Sequence, residues 1–80
     1  NMDKKRTFQQ IANDIKSTWL NVYFGAVPYL EAMLTLDTTD PNASYYYDKA
    51  GDIVRYFLAN AQTFRGADAK RLKAELKSML

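Results

Sequence analysis

From Phe8 onward, apolar residues return at three- and four-residue steps, the spacing that lines one face of an α-helix. Phe8, Ile11, Ala12, Ile15, Trp19, Val22 and Tyr23 make the first such face. Thr7 with Gln10 three residues on completes a capping-box pattern, so a first helix is predicted over residues 7–24. Gln10, Asn13, Lys16 and Ser17 lie off the apolar face. So do Leu20 and Phe24, which a helix with one buried side does not need. Gly25 is placed to end this helix with a positive φ, and Pro28 suits the first turn of the next.

The second helix, residues 26–36, is short and carries two apolar stripes. Val27, Leu30 and Leu34 form one; Tyr29, Met33 and Leu36 form the other. Only Glu31 and Thr35 are clearly polar. A helix apolar on most sides is either central in the fold or covered by a partner. Residues 37–42, Asp-Thr-Thr-Asp-Pro-Asn, are dense in turn and capping residues and read as a loop. Asp40 or Ser44 is then placed to cap a third helix over residues 44–64. Tyr46, Ala50, Ile53, Val54, Phe57, Leu58, Ala61 and Phe64 share its inner side, and Asp48, Asp52, Arg55 and Gln62 its outer side. Asp48 suits the dipole at its start, and Asp52 with Arg55 is an i,i+3 pair. Gly51 in its interior costs roughly 1 kcal/mol against Ala, which points to a close packing contact. Gly66 ends it. A fourth helix over residues 67–79 turns Ala69, Leu72, Leu76 and Met79 inward and Lys70, Lys73 and Lys77 outward.

The predicted fold is all-α: one compact four-helix, bundle-like domain over residues 1–80 with a short second helix and a flexible segment at 1–6. A chain of 80 residues holds one small core, burying roughly 60–65% of its unfolded surface. With 48% apolar and 25% charged residues it is ordinary globular material. Met2 reads as the natural start, and no apolar stretch follows Lys4, Lys5 and Arg6, so no signal peptide is expected. The longest uncharged apolar run, residues 22–30, is too short for a bilayer and is broken by Gly25 and Pro28. With no cysteine to oxidise, a cytoplasmic location is expected.

Composition then narrows the chemistry. Six Tyr, four Phe and one Trp accompany no His and no Cys. Imidazole and thiolate are the usual tools of catalysis at neutral pH, whereas aromatic side chains are tools of contact. There is no Gly-rich phosphate loop and no nucleophile elbow. Asp48 and Asp52 are the only close carboxylates on one predicted helix face, and they read as a solvated surface. Asp37, Asp40 and Asn42 offer oxygen ligands, but they lack the Gly and Glu that an EF-hand requires, and capping accounts for them better. No enzyme, metal, cofactor, membrane or small-molecule substrate is expected.

Two partner classes remain. Leu20, Phe24, Tyr29, Met33, Leu36, Tyr45 and Tyr56 all fall away from the centres of the inner stripes. They are either the core of a fold wrapped around its second helix or an exposed aromatic patch that a second copy of the chain covers. Asn60, between Phe57 and Phe64, either hydrogen-bonds a turn near Gly25 or is exposed. The alternative partner is nucleic acid. Arg65, Lys70, Arg71, Lys73 and Lys77 form a basic strip, and Lys4 to Arg6 add an arm. A helix-turn-helix fits poorly, since Arg65 and Glu75 fall where that motif needs apolar residues. The net charge of +2 is too small to imply a polyanion by itself.

Tyr23-Phe24-Gly25-Ala26-Val27-Pro28-Tyr29-Leu30, Tyr56-Phe57-Leu58-Ala59-Asn60-Ala61, Phe64-Arg65-Gly66 and Lys73-Ala74-Glu75-Leu76 resemble small uncharacterised helical proteins of bacterial phages and other mobile elements. The resemblance runs from Trp19 onward and implies a bacterial or phage setting, with no catalytic residues to carry over. The expected function is a small non-catalytic interaction or regulatory module, acting as a homodimer.

Overall fold

A computed structural model describes residues 5–80. Four α-helices carry the fold: α1 (Phe8–Thr18), α2 (Val27–Met33), α3 (Ala50–Ala59) and α4 (Ala67–Ser78). A single 3₁₀ turn, Phe24–Ala26, leads into α2, and a small antiparallel hairpin, β1 (Ser44–Tyr45) and β2 (Asp48–Lys49), leads into α3. The protein is mostly helical, and the hairpin corrects the strictly all-α expectation. α1 packs against both α2 and α4, and α2 packs against α3. Among the described residues, no helix is long and apolar enough to cross a membrane.

α1 begins as its sequence dictates. Thr7 Oγ1 accepts from the Gln10 N–H at 3.1 Å, and the Gln10 side chain accepts from the Thr7 N–H at 2.9 Å. It ends at Thr18, six residues before the expected end. The Ser17 and Thr18 hydroxyls donate back to the Asp14 carbonyl, which competes with the helical ladder. Trp19 then takes an extended backbone, φ −101° and ψ 90°. This places its ring in the core, stacked on Phe64 at 5.0 Å and edge-on to Phe57 at 6.1 Å. Gly25 therefore ends no helix, and among the described residues the only positive-φ glycine is Gly66, which precedes α4 at φ 111°.

The third helix is shorter than its apolar pattern. Residues 44–49 form the hairpin, with Ser44 opposite Lys49 and Tyr45 opposite Asp48, closed by Tyr46 and Tyr47. Aromatic side chains favour strand. Asp40 and Ser44 do not cap α3, and Asp48 stands outside it. Asp40 Oδ1 instead accepts from the Asn42 N–H at 2.9 Å in an Asx turn. The first free donors of α3 go to loop carbonyls: Ala50 N–H to Ala43 at 2.8 Å and Gly51 N–H to Pro41 at 2.7 Å. α1 uses the same device, with Phe8 N–H donating to Thr38 and Gln9 N–H to Leu36, both at 2.9 Å. The segment between α2 and the hairpin is thus tied to the starts of two helices.

One core unites these elements. Phe8, Ile11, Ile15, Met33, Val54, Phe57, Leu72 and Leu76 are its largest fully buried side chains. Met33 and Leu36 are part of it, which corrects their assignment to a partner surface. α2 packs on both α1 and α3, and Met33 is fully buried.

The expected flexible segment, residues 1–6, lies outside the described residues up to residue 4. Arg6 contradicts the expectation at its own position. Its guanidinium donates to Asp14 Oδ2 at 2.6 Å and to both Glu75 oxygens at 2.9 and 2.7 Å, joining the start of α1 to α4. The Arg6 hydrogen bonds hold the Glu75 carboxyl below its ordinary value, against the opposing effect of desolvation. A carboxylate with a lowered folded pKa stabilises the fold above the ordinary carboxylate range, and that stability is lost as pH falls through the range. Glu75→Gln should cost about 1 kcal/mol at neutral pH, given partial solvent screening. It should also flatten the loss of stability between neutral pH and acid. Urea titrations of both proteins at several pH values check this, and parallel acid slopes would refute it.

Candidate interaction surfaces

The proposed contact residues divide by position. Leu20 and Phe24 stand on the connection between α1 and α2 and are 83% and 79% exposed. Tyr56, on the outer side of α3, is 48% exposed. Tyr29 and Tyr45 are half-buried and pack against the core from its margin. Tyr23 was expected inside and is 42% exposed, because α1 ends before reaching it.

Four of these rings form two pairs on neighbouring ground. Tyr23 and Phe24 lie 4.8 Å apart and Tyr29 and Tyr56 5.5 Å apart, centre to centre. Asn60, the residue that closes α3, lies between the pairs. Its Nδ2 donates to the Tyr56 carbonyl at 2.9 Å. Its Oδ1 faces Gly25 so closely that a methyl there would sit 2.9 Å from it and 2.6 Å from the Tyr23 ring. Asn60 therefore packs on the Gly25 turn without the hydrogen bond to it that one reading expected; its side-chain hydrogen bond stays within α3. A shallow cleft of about 210 Å³ opens beside it, lined by Tyr23, Ala59, Asn60, Gln62 and Thr63. The surface contains no charge. Residues 17–30 and 56–64 are both free of Asp, Glu, Lys and Arg, and the fold brings the two stretches together. Those charge-free runs are the signal in the sequence that locates this face, Tyr23 included.

The hairpin presents another aromatic group. Tyr46, expected on the inner side of a helix, is 85% exposed at φ 55°, with its ring 4.8 Å from Tyr45. That backbone region disfavours bulky side chains, so the turn holds Tyr46 against local strain.

The basic residues occupy a different face. Arg65, Lys70 and Lys73 line a cleft of about 340 Å³ with Phe64, Gly66 and Ala69. The Lys73 ammonium stands 5.7 Å from the centre of the Phe64 ring. Desolvation pushes the Lys73 pKa down, and the charges of Lys77 and Arg65 add to the effect. Arg71 does not join them. Its guanidinium reaches Asp68 at 3.4 Å, on the flank of α4 that also carries Glu75.

No protein-family model, curated protein or solved structure matches the chain.

Proposed function

We propose that the chain is a non-catalytic protein-interaction module, a small helical bundle that self-associates as a homodimer through the face around Leu20, Tyr23, Phe24 and Tyr56. The observation that carries this reading is exposure where the core has no need of it. The core is filled by other side chains, yet these four remain in water. At about 200 Å² for each large side chain, they leave roughly 500 Å² of apolar and aromatic surface exposed, the upper range for a monomer. Half-buried Tyr29 extends the face beside Tyr56.

The absence of charge favours a second copy as the partner. Interface centres are depleted of charge and rich in Tyr and Phe. A neutral face meets itself across a twofold axis without desolvating like charges. The area sits at the low end for specific pairs, so the expected dissociation constant is in the micromolar range, about 1–100 μM.

Sedimentation velocity across that range should show monomer passing to dimer as concentration rises. The Leu20→Ser/Phe24→Ser variant should stay folded, since both side chains are already solvated, and should remain monomeric. A wild-type protein that is monomeric at about 1 mM overturns self-association, and a variant that still dimerises moves the contact elsewhere.

A further inference from the structure

The cations of residues 50–80, with Arg6, fall into two groups. Arg6, Arg55 and Arg71 each engage a carboxylate. Arg65, Lys70, Lys73 and Lys77 have no carboxylate within ion-pair distance among the described residues. Helical geometry sorts the same residues. At about 100° per residue, Lys70, Lys73 and Lys77 share an arc of about 60° on α4. Asp68, Arg71 and Glu75 share another arc of about 60° on the opposite flank, with Ala69, Leu72 and Leu76 buried between the two. The acidic flank faces Arg6 and α1. The lysine flank borders the cleft beneath Phe64, and residues 56–66 beside it contribute Arg65 and no carboxylate.

We infer that this cleft and strip, Arg65 with Lys70, Lys73 and Lys77, bind the phosphate backbone of a nucleic acid. Like charges gathered on one side without counter-charges repel one another; at Lys73, whose pKa is lowered mainly by desolvation, the charges of Lys77 and Arg65 push the same way. A string of phosphates relieves it at every position. The dimensions agree. Lys70 and Lys77 are separated by about 10 Å of helix rise, which matches about three phosphate-to-phosphate steps of one strand along a duplex axis. Three of its four groups are lysines, point charges that meet phosphates without a fixed fork geometry, so recognition is of the backbone and independent of sequence. The surface is distinct from the neutral aromatic face, and its occupant does not depend on the dimer.

Fluorescence anisotropy tests this, with a labelled duplex of about 20 base pairs and a thymidine single strand of the same length, titrated across salt concentrations. Three to four phosphate contacts predict a slope of log affinity against log salt of about −3 for the duplex and a shallower one for the single strand. Lys70→Gln/Lys77→Gln leaves the packing of Lys73 on Phe64 intact and should reduce the slope by about 2 and the affinity at least tenfold at low salt. Lys16→Gln/Lys49→Gln removes as much charge elsewhere and should change neither by a comparable amount. The inference is overturned by absent binding at the lowest salt, by equal slopes in wild type and Lys70→Gln/Lys77→Gln, or by equal losses in the two variants. It is also overturned if phosphatidylglycerol vesicles are bound and nucleic acid is not.

Discussion

Phe57→Ala should remove about half of the stability of this protein. Phe57 is fully buried near the C-terminal end of α3, and its ring meets the Trp19 indole edge-on. Deleting a buried phenyl ring costs about 3–5 kcal/mol, partly in lost transfer energy and partly in the cavity left behind. A domain of this size has about 4–12 kcal/mol in total. The neighbours cannot collapse into the space cheaply, because Trp19 is already held against Phe64 on its other side. Urea unfolding followed by Trp19 fluorescence reads the effect at the site itself. Phe57→Leu, which keeps most of the volume, should lose no more than about 1.5 kcal/mol. Equal costs for the two variants would mean that the ring is not packed as described.

Gly51→Leu should cost about 2–3 kcal/mol for the opposite reason, too much matter in a filled space. Gly51 lies under the loop that precedes the hairpin. A Cβ there would come within 3.1 Å of both the Pro41 side chain and the Pro41 carbonyl oxygen. That oxygen accepts the Gly51 N–H, so the loop cannot retreat without breaking a hydrogen bond that satisfies the start of α3. A longer side chain must lift the loop. Gly51→Ala is the informative comparison: a gain in helix propensity of at most about 1 kcal/mol, since Gly51 is the second residue of α3, opposes the tight contact, and the two should nearly cancel. Thermal unfolding of the pair separates the explanations, since a propensity effect alone would stabilise both.

These two positions also mark what the sequence made legible. Phe57 falls on a clean helical stripe, and α4 and the capped start of α1 were readable for the same reason: local pattern and final packing agree. Gly51 was readable as a close contact, because glycine inside a helix has a local cost that something must offset. The hairpin was not readable. Its turn has no Asn-Gly or Asp-Gly signal, and the spacing of Tyr46 and Ala50 imitates a helical step. The early end of α1 is set by the burial of Trp19 between residues nearly 40 and 45 positions further on, which no local window contains. The two stripes of α2 were visible, but whether Met33 and Leu36 faced the core or a partner depended on where residues 34–38 fold. The basic strip was visible as a set of residues; helical spacing already sets Arg71 apart from the three lysines, and the fold adds its pairing with Asp68.

The bidentate contact between Arg6 and Glu75 spans 69 positions of sequence, and α1 and α4 bury their apolar faces beside it. Translation therefore makes α1 well before α4, and the face that α1 turns to α4 waits for its cover. At roughly 5–20 residues per second, several seconds pass between the appearance of Ile11 and Ile15 and that of Leu72 and Leu76. During that interval the nascent chain presents a face that its own remainder has not yet supplied a cover for. Loss of the last turns of α4 would make that temporary state permanent.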